Sequence, residues 1–467
     1  MKTTSKTTGA LLFSLFAVLA AGCEDASNSG GAVDVPAPGE TPPGETPVVI
    51  KCDPPTGGPT KHDASRVTAD ETWTAAGSPH IVTGTVGVSS GAKLTIEPCA
   101  EVRMGRDAAL LVSGPQSPTT GSLVAEGDAE HPIKIVADDP AKPWANLALR
   151  AGATASLAHV TLEGGGAGNG PFSDAILRVT GDQYQDPQQM LKAKNVTVKG
   201  SKNYGVFLEG HGTFTQDSDA LTVTGSTKAP IATWASSIGH LPHGTYTGNG
   251  VDHVVIRGGG GYERIDTSVT LKNLGVSYHV GTEQTNAPLI HVSGGAKGLA
   301  TLTIEKGTRV AFGAGGIFEI EHFTGDAPAT GALVAAGTPD AKIVFTSAAA
   351  TPAAGDWVGL HYGMVPSATN KLDHVVVEYA GGTTGTLNFS CNEPYRDEAA
   401  ILVLGEPSGA FVTNTAIKHS ARHGIDRGWR GAPIDFMASN TFDGVAACKQ
   451  TFPKDDNGGC PASPACP

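Results

Sequence analysis

The chain has 467 residues, 62 of them glycine, with only 14 Phe and 8 Tyr, and a formal net charge of −13. That acidity argues against nucleic-acid binding and against a polybasic membrane patch. The glycine excess with few aromatics fits many short strands joined by tight turns.

The first element is an export signal at residues 1–22. Lys2 and Lys6 precede an apolar run from Ala10 to Ala21. That run is too short to span a bilayer core of ~30 Å as a helix of ~20 residues. It ends Leu19-Ala-Ala-Gly-Cys23, which resembles the lipobox of bacterial lipoproteins, with Ala20 at the usual leucine place. The resemblance implies cleavage before Cys23 and acylation of its thiol, with palmitate-type chains anchoring the protein to a membrane. Removing the two lysines takes the mature charge to −13 − 2 = −15. Residues 23–65 read as a disordered Pro/Gly-rich tether, because they carry too little apolar surface to bury. Outer membrane, facing the surface, is the expected location.

Six further cysteines remain: Cys52, Cys99, Cys391, Cys448, Cys460 and Cys466. An even number in an exported chain predicts three disulfides. Six cysteines allow 15 pairings, and proximity favours Cys52–Cys99, Cys391–Cys448 and Cys460–Cys466.

The body of the chain contains one long pattern twice. Gly91-Ala-Lys-Leu-Thr-Ile-Glu97 and Glu101-Val-Arg-Met-Gly105 face Leu302-Thr-Ile-Glu305 and Thr308-Arg-Val-Ala-Phe-Gly313. Thr120-Gly-Ser-Leu-Val-Ala-Glu-Gly127 faces Thr330-Gly-Ala-Leu-Val-Ala-Ala-Gly337, and Trp144 faces Trp357. Leu157-Ala-His-Val-Thr-Leu-Glu163 faces Leu372-Asp-His-Val-Val-Val-Glu378, and Asn195 faces Asn414. The offset drifts only from 305 − 97 = 208 to 414 − 195 = 219. Short alternating strands at this spacing cannot bury a face alone and must stack on the next coil. The prediction is an all-β parallel β-helix, with repeat one and its connecting segment at 66–265 and repeat two at 266–450. Residues 451–467 are expected to form a Cys-containing tail. An antiparallel β-sandwich is the competing architecture.

The order Gly91-Ala-x-Leu-Thr-Ile-Glu97-Pro, Gly121-Ser-Leu-x-Ala-Glu-Gly127, Trp144-x-x-Leu147 and Leu157-x-x-Val-x-x-Glu163 resembles the right-handed parallel β-helix repeat proteins of bacterial surfaces. These are related in fold to pectate lyases. The resemblance spans roughly residues 66–450 and implies a right-handed solenoid. It implies little about activity.

Pectate lyases use acid clusters that hold calcium, and polygalacturonases use aspartates on neighbouring coils. The sequence offers Gly210-His211-Gly212 but neither acid pattern. His240 and His243 flank a proline and lack a third ligand nearby. His159 and His374 occupy equivalent repeat positions and read as structural. No catalytic residue, metal site or cofactor is expected. The richest charged patch is Arg422, His423, Asp426, Arg427, Trp429 and Arg430, where arginine beside an exposed aromatic would suit a sugar or carboxylate. The expected function is non-catalytic binding, adhesion or a structural role towards polysaccharide, envelope matrix or another envelope protein. A polysaccharide lyase or glycoside hydrolase of unrecognised type, and a structural partner of an outer-membrane assembly, are the alternatives.

Overall fold

A computed structural model describes residues 48–113, 120–168, 173–257, 264–283, 289–321, 328–384, 398–459 and 466. The signal segment, Cys23, Cys391 and Cys460 lie outside these residues. From Val48 onward the chain forms one compact unit.

Every strand pairing is parallel, as a β-helix requires and a sandwich of hairpins forbids. In the first half each coil contributes one strand to each of three sheets. Sheet A runs from Thr60–His62 to Gly244–Thr245, and sheet C from Glu71–Trp73 to Gly212–Phe214. Sheet B begins at Ser65–Val67 and continues through 14 strands to Thr441–Asp443. In the second half sheets D and E replace A and C. They begin at Arg264–Ile265 and Val269–Leu271.

Alternation sets the packing. In Lys93–Ile96, Leu94 and Ile96 are buried, while Lys93 is exposed and Thr95 half-buried. Strands with period two place one side-chain row inward. The inward rows join into a single core from Val67 to Phe436.

The corners explain recurring residues that the sequence shows without reason. His159, Asn195 and Ala220 each stand between a sheet C and a sheet A strand with φ of 49°, 51° and 55°. In the second half His374 and Asn414 each stand between a sheet E and a sheet B strand, at 52° and 48°. One left-handed residue turns the chain sharply without breaking either strand, and Asn and His tolerate that region better than most. His159 and Asn195 also meet along the axis, at 3.2 Å.

The two copies repeat their interior bonds. The Trp144 indole donates to the Glu163 carbonyl at 2.8 Å, and Trp357 donates to Glu378 at 2.8 Å. Glu97 accepts from the Ala75 amide at 3.0 Å, and Glu305 from the Asn273 amide at 2.8 Å. Yet the copies are out of phase around the axis. Glu101–Met104 and Ile133–Ala137 belong to sheet A, whereas their counterparts Arg309–Phe312 and Ile343–Ser347 belong to sheet B. The second copy is therefore turned by one face. One junction turn absorbs the shift with four strands: Gly244–Thr245, His253–Arg257, Arg264–Ile265 and Val269–Leu271. The 3-10 helix Ala235–His240 directly follows the sheet B strand Ile231–Trp234 and packs between the last strand of sheet C and the first strands of D and E.

Both ends are closed, as a solenoid core demands. At the start, the His62 and Trp73 rings stack at 4.2 Å, with His80 beyond. Cys52–Cys99 ties the incoming chain to the early coils, as proximity suggested. Thr60–His62 is already a sheet strand and Lys51 pairs with Glu130 at 2.7 Å. The folded body thus begins inside the span 23–65 assigned to the tether. At the far end Cys448 bonds Cys466. This corrects two expected pairs, Cys391–Cys448 and Cys460–Cys466. Sequence proximity misled because residues 450–454 run on as a further partial turn stacked parallel on the last coil: Thr451 is buried, and Gln450 and Lys454 form parallel backbone bridges with Ile425 and Arg430. The tail is part of the cap.

Candidate functional site: the lateral face of sheet A

The patch Arg422–Arg430 is not an open site. Trp429 is 2% exposed, so the exposed aromatic that the ligand reading required is absent. The ring packs against Phe436, and its indole donates to Ala432 at 3.0 Å. Arg427 is 2% exposed and its guanidinium donates to the carbonyls of Ile434 and Thr451. Asp426 accepts from Thr451 at 3.0 Å and is fully buried. His423 is buried, which holds its imidazole down to about 4. Arg422 is half-buried and pairs with Glu398 at 3.0 Å. Only Arg430 is exposed. These residues join coils and close the core, and the charge that suggested a ligand is spent on backbone carbonyls and neighbouring acids.

The other histidines singled out by sequence divide similarly. His211 bonds the Gln185 carbonyl of the preceding coil. His159 and His374 are corners. His243 is exposed, and His240 lies at the end of the 3-10 helix. Among the described residues no group of three potential ligands could hold a metal ion.

The solvent-facing side of sheet A is different. Strand register aligns Glu101, Lys134, Thr161, Thr197, Thr222 and Thr245 in one continuous row. A parallel row carries Arg103, Val136, Glu163, Lys199 and Thr224. Successive members stand about 4.8 Å apart along the axis. The first row thus becomes a ladder of four threonine hydroxyls, opened at one end by charge. Arg103 and Glu101 pair at 2.6 Å, and Lys199 and Glu163 at 3.1 Å. The Glu101 carboxylate stabilises the Arg103 guanidinium and raises its pKa.

Two hollows follow this face. One of about 540 Å3 is lined by Glu101, Lys134, Thr161, Glu163 and Lys202, with Pro140 at its rim. A second of about 420 Å3 shares Glu101 and Lys134, and the Cys52–Cys99 segment forms its wall. Such volumes suit small-molecule or sugar-sized ligands. Hydroxyls, ammonium groups and paired carboxylates can hydrogen-bond a hydroxylated chain along its length. The arrangement offers no unpaired acid couple for hydrolysis among these lining residues, because Glu101 and Glu163 each hold a cation.

The threonine ladder was missed by sequence reading, yet a signal existed. Three of the threonines sit two residues after a left-handed corner, in His159-Val-Thr161, Asn195-Val-Thr197 and Ala220-Leu-Thr222, and Thr245 joins the row by strand register. In the second copy that position holds Val376 and Ala416. The face is therefore a property of repeat one alone.

No protein-family profile matches the chain, and no curated protein or solved structure matches it.

Proposed function

We propose that this protein is a lipid-anchored β-helix of the bacterial cell surface that holds a hydroxyl-rich polymer, a polysaccharide, without cleaving it, on the lateral face of sheet A. The observation that carries the reading is the unbroken Thr161–Thr197–Thr222–Thr245 row, continued by Lys134 and Glu101. Equal spacing along a rigid axis lets one extended chain meet several coils at once, so weak single contacts add. The lipobox-like end at Cys23 and the resemblance to pectate-lyase-like surface proteins support display at the outer membrane.

The test is a glycan array probed with the full chain in detergent. Thr197→Glu together with Thr222→Glu places carboxylates in the row while the strands stay exposed to water. Binding to a polysaccharide that falls at least ten-fold in this variant supports the reading. Retention of binding moves the site elsewhere. Cleavage of any polymer, abolished by one acid substitution, would replace binding by catalysis. For the anchor, Cys23→Ser should release the protein from membranes, and a variant that stays membrane-bound refutes lipidation at Cys23.

A further inference from the structure

The phase shift between the two copies leaves a third hollow, different in character from those on sheet A. Sheet C ends at Gly212–Phe214 and sheet E begins at Val269–Leu271. The 3-10 helix Ala235–His240 lies at this step. It reaches Val269 closely because Gly239 has no side chain: a Cβ there would stand 2.5 Å from the Val269 Cβ. Beside it opens a cavity of about 530 Å3, lined by Gln216, His240, Thr267, Ser268, Thr270 and Lys272, together with Gly239 and Val269.

In a chain of net charge −13 this lining contains no acid. The carboxylates nearest in sequence are engaged elsewhere. Asp266 holds Lys297 at 2.6 Å, and Asp217 faces Lys192 and Lys194 at 3.7 and 3.4 Å. Lys272 is half-buried and has no carboxylate partner among the described residues. One of its three N–H groups donates to the Leu241 carbonyl at 2.9 Å, which fixes the ammonium at the cavity wall. Ser268 accepts from the Thr301 amide at 3.0 Å and keeps its own O–H to donate. A fixed cation and a bank of hydroxyls together form an anion-recognition set.

We propose that the junction cavity binds a sugar bearing a phosphate or sulfate ester, with Lys272 on the oxyanion and Thr267, Ser268 and Thr270 on ester and ring oxygens. Failure of the sheet A reading leaves this site standing, because no residue is shared.

Calorimetry on the full chain tests it, with glucose 6-phosphate, glucose 6-sulfate, glucose and inorganic phosphate as probes. The two esters separate the two sources of the same oxyanion chemistry. An ester should bind at least ten-fold more tightly than glucose and than inorganic phosphate, and weaken with added salt. Lys272→Gln should reduce ester binding at least ten-fold, and Thr270→Val several-fold, while Lys449→Gln at an exposed position near the far end changes nothing. Should Lys272→Gln misfold, Thr270→Val with a native melting curve decides alone. Equal affinity for ester and glucose, an ester no tighter than inorganic phosphate, or unchanged binding in a folded Lys272→Gln or Thr270→Val variant overturns the proposal.

Discussion

The two buried tryptophans provide a sharp test of the architecture. Trp144 and Trp357 are both fully buried, and each indole donates to a carbonyl about one coil ahead at 2.8 Å. Replacing either by Phe keeps most of the apolar volume, a packing change of roughly 1 kcal/mol. It also leaves the Glu163 or Glu378 carbonyl without its donor inside the core, costing about 1–3 kcal/mol. Each single variant should therefore lose roughly 2–4 kcal/mol of local stability. The sites lie in different halves and share no partner, so the double variant should show the sum. A long solenoid need not unfold in one step. Hydrogen exchange resolved by segment is thus the assay, with urea unfolding beside it. Trp144→Phe should speed exchange in 133–163 and spare 343–378, and Trp357→Phe should do the reverse. A loss below about 0.5 kcal/mol at either site, or identical exchange maps for both, refutes equivalent roles for the two tryptophans.

Three further outcomes follow from the same geometry. Ala220 holds φ at 55°, where a Cβ costs about 1–2 kcal/mol, so Ala220→Gly should be neutral to stabilising by up to about 1 kcal/mol despite glycine's unfolded-state entropy. A drop in melting temperature would show that the corner is not strained. Removing the terminal disulfide by Cys448→Ala with Cys466→Ala opens a loop of 18 residues, for which loop entropy gives roughly 3 kcal/mol. Limited proteolysis should then nick the last coils first, and an unchanged cleavage pattern would count against the cap. His361 is fully buried, both ring nitrogens lack partners among the described residues, and burial holds its imidazole down to about 3. Its unfolded counterpart takes a proton near 6.5, so this stability is present above pH 6.5 and is lost as pH falls, by up to about 1.4 kcal/mol per unit. Buried Glu321, raised to about 7, acts oppositely between 4.5 and 7, because the folded state holds its proton there. His361→Leu should flatten the fall in melting temperature from pH 6.5 to 4.5, and an unchanged slope would refute the assignment.

What the sequence disclosed and what it concealed follows from the physics of a coil. Inward positions obey period two and are filled by Val, Ile and Leu, so the strands and the repeat show in the order of residues. The matched tryptophans and glutamates mark bonds that each copy makes within itself or with the coil before it, over separations of 19 to 32 residues. The pairing of copies around the axis has no such local signature. Nothing in His253–Arg257 announces that it continues sheet B while its flanks change sheets, because its inward residues Val254 and Ile256 suit either arrangement. The site suffers the same blindness. Charge density pointed to Arg422–Arg430, but charge in a chain end is also what a cap needs to satisfy backbone carbonyls that no further coil will meet. Threonine, by contrast, is unremarkable in any single strand. It becomes a surface only when parallel register brings Thr161, Thr197, Thr222 and Thr245 into one row, and register is fixed by corners such as Asn195 and Ala220 rather than by the threonines themselves. Binding faces of a solenoid are therefore best sought at fixed offsets from its corner residues, and patches of charge near its ends are best assigned first to closing the core.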